Sequence, residues 1–323
     1  MNTKLIIVDG HSSAGKSSIS KSVYNQIALN HDAYWLHEEC ENHPIRHHEF
    51  SFGNLDTSEG MESNRVGMLQ KWAGFRESIK TAGKVCITEG CLLHAYDRYF
   101  IHSLWDENDI LTYYADALDV ISELNPIVIF LNRPDLRKRL EKAFVARGQW
   151  WRNLMLRRDD LHVYFKTHKY VDDNSMFAAI EYEQLKMGEI FERLRCAKIK
   201  IDTSEEQWDQ YVQEIITFLG LEYGEIDPHP CDMKQYPGTY EWQNGSAKWV
   251  INYDDTNKSL YTSLFWPYMP MRCMADNVFE LISFPVELHF QKNKNNMQFR
   301  VHGNYDWEFN NQIFMRVWNA PTD

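Results

Sequence analysis

The sequence predicts an α/β domain built on a parallel sheet, followed by a second domain of antiparallel β-structure. Along residues 1–220, short β-branched runs alternate with longer helical patterns, which is typical of parallel strands joined by crossover helices. The helical period then disappears, and at least six short runs alternate polar with aromatic or branched residues. The two domains are predicted to span residues 1–226 and 227–323.

Five apolar runs in the first domain fit strands, at residues 4–9, 33–36, 84–88, 126–131 and 197–201. Six segments carry apolar residues at helical spacing, and these predict helices. They occupy residues 17–29, 63–80, 108–124, 136–147, 175–194 and 205–219. In the last helix Trp208, Tyr211 and Ile215 recur at helical spacing, which predicts a packed face.

A join rich in Pro and Gly, at residues 220–238, separates the two domains. Beyond it the predicted strands occupy residues 239–242, 248–253, 259–266, 278–284, 287–291 and 297–302. Turn clusters such as Asn244-Gly245 lie between them. Short strands at this regular spacing predict an antiparallel barrel or sandwich of about 85 residues.

The composition excludes several classes of protein. With 323 residues, 44% of them apolar, the chain is long enough to build two sizeable cores. The formal net charge of −12 argues against sequence-independent binding to nucleic acid or to an anionic membrane. We expect neither a signal peptide nor a membrane span, because no apolar run is long enough. The six cysteines form no C-x-x-C pair, which favours reduced thiols in a cytoplasmic protein.

The strongest functional signal is a complete G-x-x-x-x-G-K-S motif at residues 10–17, which we call the glycine loop. It follows an apolar strand and opens a helix, as a phosphate-binding loop requires. In such a loop the backbone N–H groups face phosphate, Lys16 reaches the β- and γ-phosphates, and Ser17 ligates Mg²⁺. The alternative is a chance Gly-rich turn. The candidate nucleotide-binding residues here are Gly10, His11, Ser12, Ser13, Ala14, Gly15, Lys16, Ser17 and Ser18.

Carboxylates follow two of the predicted strands, at an edge where open α/β sheets bind ligands. Glu89 is predicted to lie beside the glycine loop and to hold Mg²⁺ through water or contact the acceptor; alternatively, it caps the next segment. Either Glu38 or Glu39 is predicted to accept the proton of an acceptor hydroxyl, and Glu39 is slightly favoured. The alternative is that both glutamates belong to a solvated charged loop.

Histidines crowd the segment that contains the two glutamates. His37, His43, His47 and His48 lie near Cys40, which raises the alternative of a zinc site. Their spacing fits no tetrahedral zinc pattern. We therefore interpret the segment as a surface or substrate loop.

A third region, residues 147–158, concentrates positive charge on an acidic chain. It carries Arg147, Arg152, Arg157 and Arg158, and it is predicted to close over a triphosphate and offset the charge of the transferring phosphoryl group. Arg147 and Arg158 are assigned to nucleotide binding, and Arg152 and Arg157 to catalysis. The alternative is an ordinary basic helix face. The preceding helix adds further cations at Arg133, Arg137, Lys138, Arg139 and Lys142.

The first domain resembles the P-loop kinases that act on nucleosides, nucleotides and other small molecules. Thymidylate and deoxynucleoside kinases share the order of phosphate loop, two acidic strand ends, a strand running into a helix that ends in Arg-Gly, and a lid with arginines. Residues 125–135, continuing to Arg147-Gly148, look like the thymidylate kinase segment, and Asp97-Arg98-Tyr99 is similar to a motif of that family. Residues 6–17 are similar to chloramphenicol phosphotransferase. The resemblance implies a P-loop kinase-type sheet and a general base at Glu38 or Glu39.

The second domain resembles the small lipocalin-like barrel appended to some enzymes. The likeness rests on residues 236–240, 259–261 and 279–284. It implies a fold without an activity. The aromatic residues of this domain favour a packed core over a ligand cage. They include Trp242, Trp249, Trp266 and Trp307.

Together these features predict a Mg²⁺-dependent phosphotransferase that moves the γ-phosphate of ATP to a hydroxyl or phosphate of a small molecule. Its partners would be a nucleoside triphosphate and a nucleoside, nucleotide or antibiotic-like acceptor, and the sequence leaves a homodimer open. The alternative is a GTP- or ATP-binding regulatory NTPase whose barrel binds a partner, because residues 132–135 superficially echo the guanine-reading Asn-Lys-x-Asp. A structural protein with an inactive loop is disfavoured by intact Lys16 and Ser17.

Overall fold

The computed structural model describes residues 1–46, 55, 57–94, 100–103, 105–156, 162–169, 171–226, 229–263, 268–293, 296–305 and 308–317. The chain divides into two compact units. The first comprises Met1–Glu38 and Asn42–Gly224, and the second comprises Glu39–Glu41 and Glu225–Asp323. The predicted fold class, a parallel sheet flanked by helices plus an antiparallel β-barrel, is confirmed.

A parallel sheet forms the centre of the first unit, and five of its strands lie within the described residues. They are β1 (Leu5–Gly10), β2 (Ala33–Leu36), β3 (Val85–Glu89), β4 (Ile127–Asn132) and β5 (Ala197–Asp202). Their spatial order is β2-β3-β1-β4-β5, so β1 lies between β3 and β4. The chain leaves β1 toward β2 and leaves β4 toward β5, in opposite directions. Such a divergence opens a crevice at the carboxyl ends of β1 and β4.

Helices cover both faces of this sheet. The described part of the unit contains α1 (Lys16–Ala28), α2 (Ser58–Ala82), α3 (Glu107–Val120), α4 (Leu136–Arg147), α5 (Gln149–Leu156), α6 (His162–Thr167), α7 (Asp173–Arg193) and α8 (Trp208–Phe218). Leu5 and Ile7 of β1 pack in one apolar layer with α2, α3 and α7, whereas Ile6 and Val8 pack in the other with α1 and α8. Burial on both faces explains why these four residues of β1 are all apolar.

Polar side chains fix the starts of three helices. The Thr57 hydroxyl accepts a hydrogen bond from the Gly60 N–H at 3.1 Å, so α2 begins at Ser58, five residues before the predicted start at residue 63. Asp106 caps α3, and Asp172 begins a capping box at α7. The predicted helix at residues 136–147 matches α4.

The segment after α4 differs from the prediction. The helices predicted from apolar spacing leave out residues 148–174, where only the alternative of a basic helix face placed a helix, yet α5 and α6 lie there. Gly148, at φ 84°, ends α4 and turns the chain into α5. The buried residues Trp151 and Met155 lie on one face of α5, which explains why this short segment is helical.

The second unit contains a closed antiparallel barrel, with eight strands in the described part of the chain. These are β6 (Gly238–Trp242), β7 (Lys248–Asp254), β8 (Ser259–Thr262), β9 (Met269–Ala275), β10 (Val278–Leu281), β11 (Val286–Asn293), β12 (Asn296–Gly303) and β13 (Ile313–Val317). The barrel rather than the sandwich alternative is therefore correct. Two strands, β9 and β13, were not predicted, and β8 ends before the predicted residue 266.

Aromatic side chains fill the barrel. The rings of Phe299 and Phe314 stack 5.2 Å apart, and Trp249 meets Phe299 edge-on at 5.3 Å. Trp249 is fully buried, and Trp242 packs against the same apolar cluster. Trp249 is therefore a core residue and Trp242 lies against the core, which supports the packed-core interpretation for both; Trp266 and Trp307 lie outside the described residues.

Within the described residues, no helix combines the length and the apolar character needed to cross a membrane.

Candidate active site

Two glycines shape the glycine loop between β1 and α1. Gly10 has φ 147°, and a Cβ there would lie 2.5 Å from the carbonyl oxygen of Leu131 on β4. Gly15 has φ 98°, and its Cβ would lie 2.4 Å from the indole ring of Trp208 on α8. Ser13 is also left-handed, at φ 68°. The loop therefore requires glycine at both ends, and it leads to the amino terminus of α1, where backbone N–H groups favour an anion.

Lys16 and Glu38 meet at the mouth of the glycine loop. Lys16 begins α1 and is only 5% exposed, and its Nζ lies 3.8 Å from Oε2 of Glu38. A Cβ on Gly90 would lie 2.2 Å from the same Oε2 and 3.0 Å from Cε of Lys16, so the pair sits directly over Gly90. The ends of β2, β3 and β1 therefore converge here. Glu39 is half-buried and groups with the second unit.

Glu89 ends β3 beside β1 and is fully buried. The Ser20 hydroxyl donates a hydrogen bond to its Oε2 at 3.0 Å, and the Ser17 hydroxyl is close enough to lower the pKa of this carboxylate. Nε2 of His37 lies 3.1 Å from its Oε1. The indole N–H of Trp35 donates to the Ser20 oxygen at 3.0 Å, which fixes the orientation of that hydroxyl. Glu89 thus contacts α1 and the end of β2, and among the described residues it caps no helix.

Burial raises the pKa of the Glu89 carboxyl to about 8. The neighbouring Glu38 carboxylate raises it further, while the Lys16 ammonium and the two serine hydroxyls oppose the shift. A proton or a cation must therefore compensate the Glu89 charge near neutral pH.

Asp9 is a buried carboxylate that the sequence reasoning did not assign to the site. It accepts backbone hydrogen bonds from Gly10 at 2.9 Å, Leu92 at 2.9 Å and Leu93 at 2.7 Å. Burial raises its pKa to about 6, against the effect of these bonds. Asp9 therefore ties the start of the glycine loop to the turn after β3. Its position directly before the motif was the available signal.

The remaining loop residues occupy different environments. The Ser12 hydroxyl lies 3.3 Å from Nε2 of His94. Ala14 is buried, and its N–H donates to the His11 carbonyl at 3.1 Å. Ser18 is half-buried in the first turn of α1. The loop is thus closed by an internal backbone bond.

A second assembly missed by the sequence reasoning joins the glycine loop to α7. Nε2 of His11 lies 3.5 Å from Oε1 of Glu183, and Nε2 of His102 lies 3.0 Å from Oε2. All three side chains have no solvent exposure. A glutamate in the middle of a helix carries no local sequence signal, so only the tertiary structure reveals this cluster.

The donor set around Ser17 and Glu89 fits a hard cation. A hydroxyl and a carboxylate oxygen are the ligands that Mg²⁺ takes, with water and phosphate completing its shell. Within the described part of the chain, no group of three or more His, Cys, Asp or Glu side chains is placed to hold a metal ion. The two oxygens would therefore hold Mg²⁺ together with a bound phosphate, rather than in a closed protein cage.

The zinc alternative finds no support in the described residues. Nδ1 of His43 accepts backbone N–H groups from Ile45 at 3.1 Å and Arg46 at 3.2 Å. Burial lowers the pKa of His43 to about 3. His47 and His48 lie outside the described residues. His43 is thus engaged in shaping its own loop.

The predicted lid arginines have different partners. Arg147 is half-buried, and its guanidinium lies 4.4 Å above the Trp151 ring. Burial lowers its pKa to about 10; the Arg139 charge adds to this, and the Glu38 carboxylate opposes it. Arg147 is therefore within electrostatic range of Glu38. Arg152 pairs with Asp173 at the start of α7, and Arg157 and Arg158 lie outside the described residues, as do residues 97–99.

Three of the five cations before the lid are paired with carboxylates, whereas Lys138 and Lys142 are exposed. Arg133 is 1% exposed and donates to the Thr203 carbonyl and to Glu206, at 2.9 Å for the glutamate. Its Nε also lies 2.7 Å from Asp135. Arg137 and Arg139 pair with carboxylates in the same way. The predicted concentration of positive charge is therefore neutralised at these three arginines, and the Asp135 of the guanine-like motif is held by Arg133.

The chain matches no protein-family model, and no curated protein matches it in sequence. Among solved structures it is similar to an unliganded sugar kinase from Janibacter sp., at 14% identity and a TM-score of 0.37. The likeness covers 68% of this chain and 95% of that protein. A likeness of this size assigns neither a fold nor an activity here.

Proposed function

We propose that this protein is an ATP-dependent phosphotransferase that moves the γ-phosphate to a hydroxyl or phosphate of a small molecule. The observation that carries the proposal is the meeting of Lys16 and Glu38, 3.8 Å apart, at the mouth of the glycine loop. A cation that reaches phosphate and a carboxylate that takes a proton are the two side chains that transfer to a hydroxyl requires.

The glycine loop would bind the triphosphate through its backbone N–H groups, and Lys16 would contact the β- and γ-phosphates. Ser17 and Glu89 would hold Mg²⁺, which neutralises charge on the phosphoryl oxygens. The Ser17 hydroxyl is close enough to the Glu89 carboxylate to lower its pKa, so the two groups could share a cation. Because the pKa of Glu89 is raised, a cation bound at this carboxylate would displace a proton from it.

Glu38 is the better general base of the two neighbouring glutamates. Its carboxylate contacts Lys16, whereas Glu39 groups with the second unit. As the acceptor oxygen attacks the γ-phosphorus, Glu38 takes the hydroxyl proton, the bond between the γ-phosphorus and the β–γ bridging oxygen breaks, and ADP leaves. A phosphate acceptor would need no base.

Arg147 is proposed to offset phosphate charge, because it lies within electrostatic range of Glu38. Arg152 would have to leave its ion pair with Asp173 before it could do the same. The roles of Arg157 and Arg158 remain those proposed from the sequence.

The test is transfer of labelled γ-phosphate from ATP or GTP to nucleosides, nucleotides, sugars and hydroxyl-bearing antibiotics, beside the Lys16→Ala variant. We expect labelled product from ATP with one acceptor class. In Lys16→Ala the rate should fall by about 10² or more, since loss of a charge clamp costs about 3 kcal/mol. Release of label only to water, unchanged by any acceptor, would instead support the regulatory NTPase. Equal transfer by folded Lys16→Ala would remove the glycine loop from the active site.

A further inference from the structure

The cluster of His11, Glu183 and His102 has no part in the chemistry described so far. Both carboxylate oxygens of Glu183 face an imidazole nitrogen, at 3.5 Å for His11 and 3.0 Å for His102. All three side chains are completely buried. A buried carboxylate is tolerated only when its oxygens are compensated, so these two histidines are the reason Glu183 can occupy the core.

The cluster reaches the glycine loop at a position that needs support. His11 directly follows Gly10, and the loop contains three left-handed residues, Gly10, Ser13 and Gly15. A backbone of this kind has many accessible conformations, so its N–H groups are aimed at a ligand only if side chains anchor it. Asp9 anchors the loop on one side of Gly10 through the N–H groups of residues 92 and 93.

His11 is placed to supply the second anchor, on the other side of Gly10. Its ring lies against Glu183 on α7 and meets the His94 ring edge-on at 5.7 Å. His102, which faces the other carboxylate oxygen, is walled by the rings of Tyr164 at 5.4 Å and Tyr182 at 6.1 Å. The His94 ring thus supports His11, and the rings of Tyr164 from α6 and Tyr182 from α7 support His102.

We propose that Glu183 is a positioning residue for the glycine loop, acting through His11, with His102 fixing the orientation of the carboxylate. The Glu183 side chain has no solvent exposure, so its proposed role is to position the loop and not to contact a substrate. By holding His11, it keeps the loop N–H groups in the arrangement that binds phosphate. The catalytic consequence of this inference rests on the proposed function. The anchoring of the glycine loop by Glu183 and His11 can be measured independently of that function.

The experiment compares Glu183→Leu and Glu183→Gln with a matched control, Met187→Ala. Met187 lies one turn along α7, is fully buried and packs in the apolar layer on that side of the sheet. Two quantities are measured on the full chain: hydrogen exchange of amides in residues 10–17, and binding of a fluorescent ATP analogue. Thermal unfolding of each variant reports the general loss of stability.

We expect Glu183→Leu to speed exchange in the glycine loop at least tenfold and to weaken binding of the analogue at least tenfold. Glu183→Gln keeps the shape and the hydrogen bonding of the side chain, so it should recover part of the slow loop exchange and part of the analogue binding. This variant also allows the test if Glu183→Leu does not fold. His11→Asn combined with Glu183→Leu should be no worse than the more damaging single change, because both remove the same anchor. Met187→Ala should lower the melting temperature and leave binding within twofold.

Wild-type loop exchange in folded Glu183→Gln, or an equal effect of Met187→Ala, would overturn the inference. Failure of the wild-type protein to bind nucleotide would contradict the proposed function instead, while the exchange measurement would still decide whether Glu183 anchors the loop.

Discussion

At the residue scale, Glu38 and Glu39 are neighbours in sequence with different surroundings. Glu38 contacts Lys16 over Gly90, whereas Glu39 groups with the second unit. We expect Glu38→Gln to lower the maximal transfer rate by about 10² to 10⁴ with little change in nucleotide affinity, because a general base acts only on the acceptor proton. Glu39→Gln is the matched control and should retain most of the rate. Steady-state kinetics with the identified hydroxyl acceptor measure both.

An unchanged rate in Glu38→Gln would show that positioning alone suffices for transfer. A loss confined to Glu39→Gln would instead support Glu39 as the general base, which was slightly favoured in the sequence analysis.

The buried Glu89 carboxyl makes stability depend on pH. Its pKa is raised from 4.5 to about 8, so the folded state binds a proton that the unfolded state has lost. This stabilisation is complete below pH 4.5 and disappears as the pH rises through about 8. Between pH 6.5 and 8 the wild-type protein, free of metal and nucleotide, should lose about 2 kcal/mol of unfolding free energy, at about 1.4 kcal/mol per pH unit.

Glu89→Gln should abolish this slope, since an amide does not titrate. Urea unfolding of both proteins across the range measures it. Asp9, the other described carboxyl with a raised pKa, is present in both proteins, so its titration near pH 6 cancels in the comparison. A parallel pH dependence in the two proteins would mean that the Glu89 pKa is not raised.

At the element scale, the join between β1 and α1 depends on backbone geometry that only glycine tolerates. Gly15→Ala would place a Cβ at φ 98° and 2.4 Å from the Trp208 ring. We expect a loss of about 1–3 kcal/mol in unfolding free energy, from backbone strain together with the clash. Gly67→Ala is the control, because Gly67 lies within α2 with nothing within 4 Å of its added Cβ. That change should stabilise by about 0.5–1 kcal/mol.

Chemical denaturation measures both variants. Adding Trp208→Ala to Gly15→Ala should relieve the steric contact and leave the backbone strain. Normal stability of Gly15→Ala alone would contradict the expectation, because it would show that the loop adopts another backbone conformation.

Local signals explain which elements the sequence could predict. The glycine loop, β3 with Glu89 and α4 were predicted because a motif, an apolar run and a helical period each lie within a few residues. Strand β9 was missed because it contains a proline and three methionines, whereas β13 was missed although it is as long as the predicted β6. Helix α5 was read only as a basic segment, since its apolar face spans two turns and its Arg152 is neutralised by Asp173 from another helix.

At the scale of the whole molecule, the site depends on residues that are distant in sequence. The carboxyl ends of β1, β2 and β3 bring Lys16, Glu38 and Glu89 together, and a parallel sheet makes that convergence predictable. The partners of buried charges were not predictable in this way. The pairs Arg133–Glu206 and His11–Glu183 join residues far apart in the sequence, so only tertiary packing brings them together. Residue types therefore identified the glycine-loop motif but not the groups that hold it in place.

The two units also have separate cores, which allows a test at this scale. The aromatic cluster of the barrel is formed within the second unit. The residues of the candidate site belong to the first unit, except Glu39. We expect a chain of residues 1–226 to bind ATP within threefold of the full-length affinity, a difference of under about 1 kcal/mol. Titration of the fluorescent ATP analogue measures it, with Lys16→Ala in the truncated chain as the control for binding in the glycine loop.

Circular dichroism and size-exclusion chromatography establish that the truncated chain is folded before its affinity is compared. If acceptor use or oligomeric state changes while ATP affinity does not, those roles belong to the barrel, whose aromatic interior is packed and supplies no phosphate-binding motif within the described residues. A folded truncation that no longer binds ATP would contradict the expectation, because the nucleotide site would then require residues beyond 226.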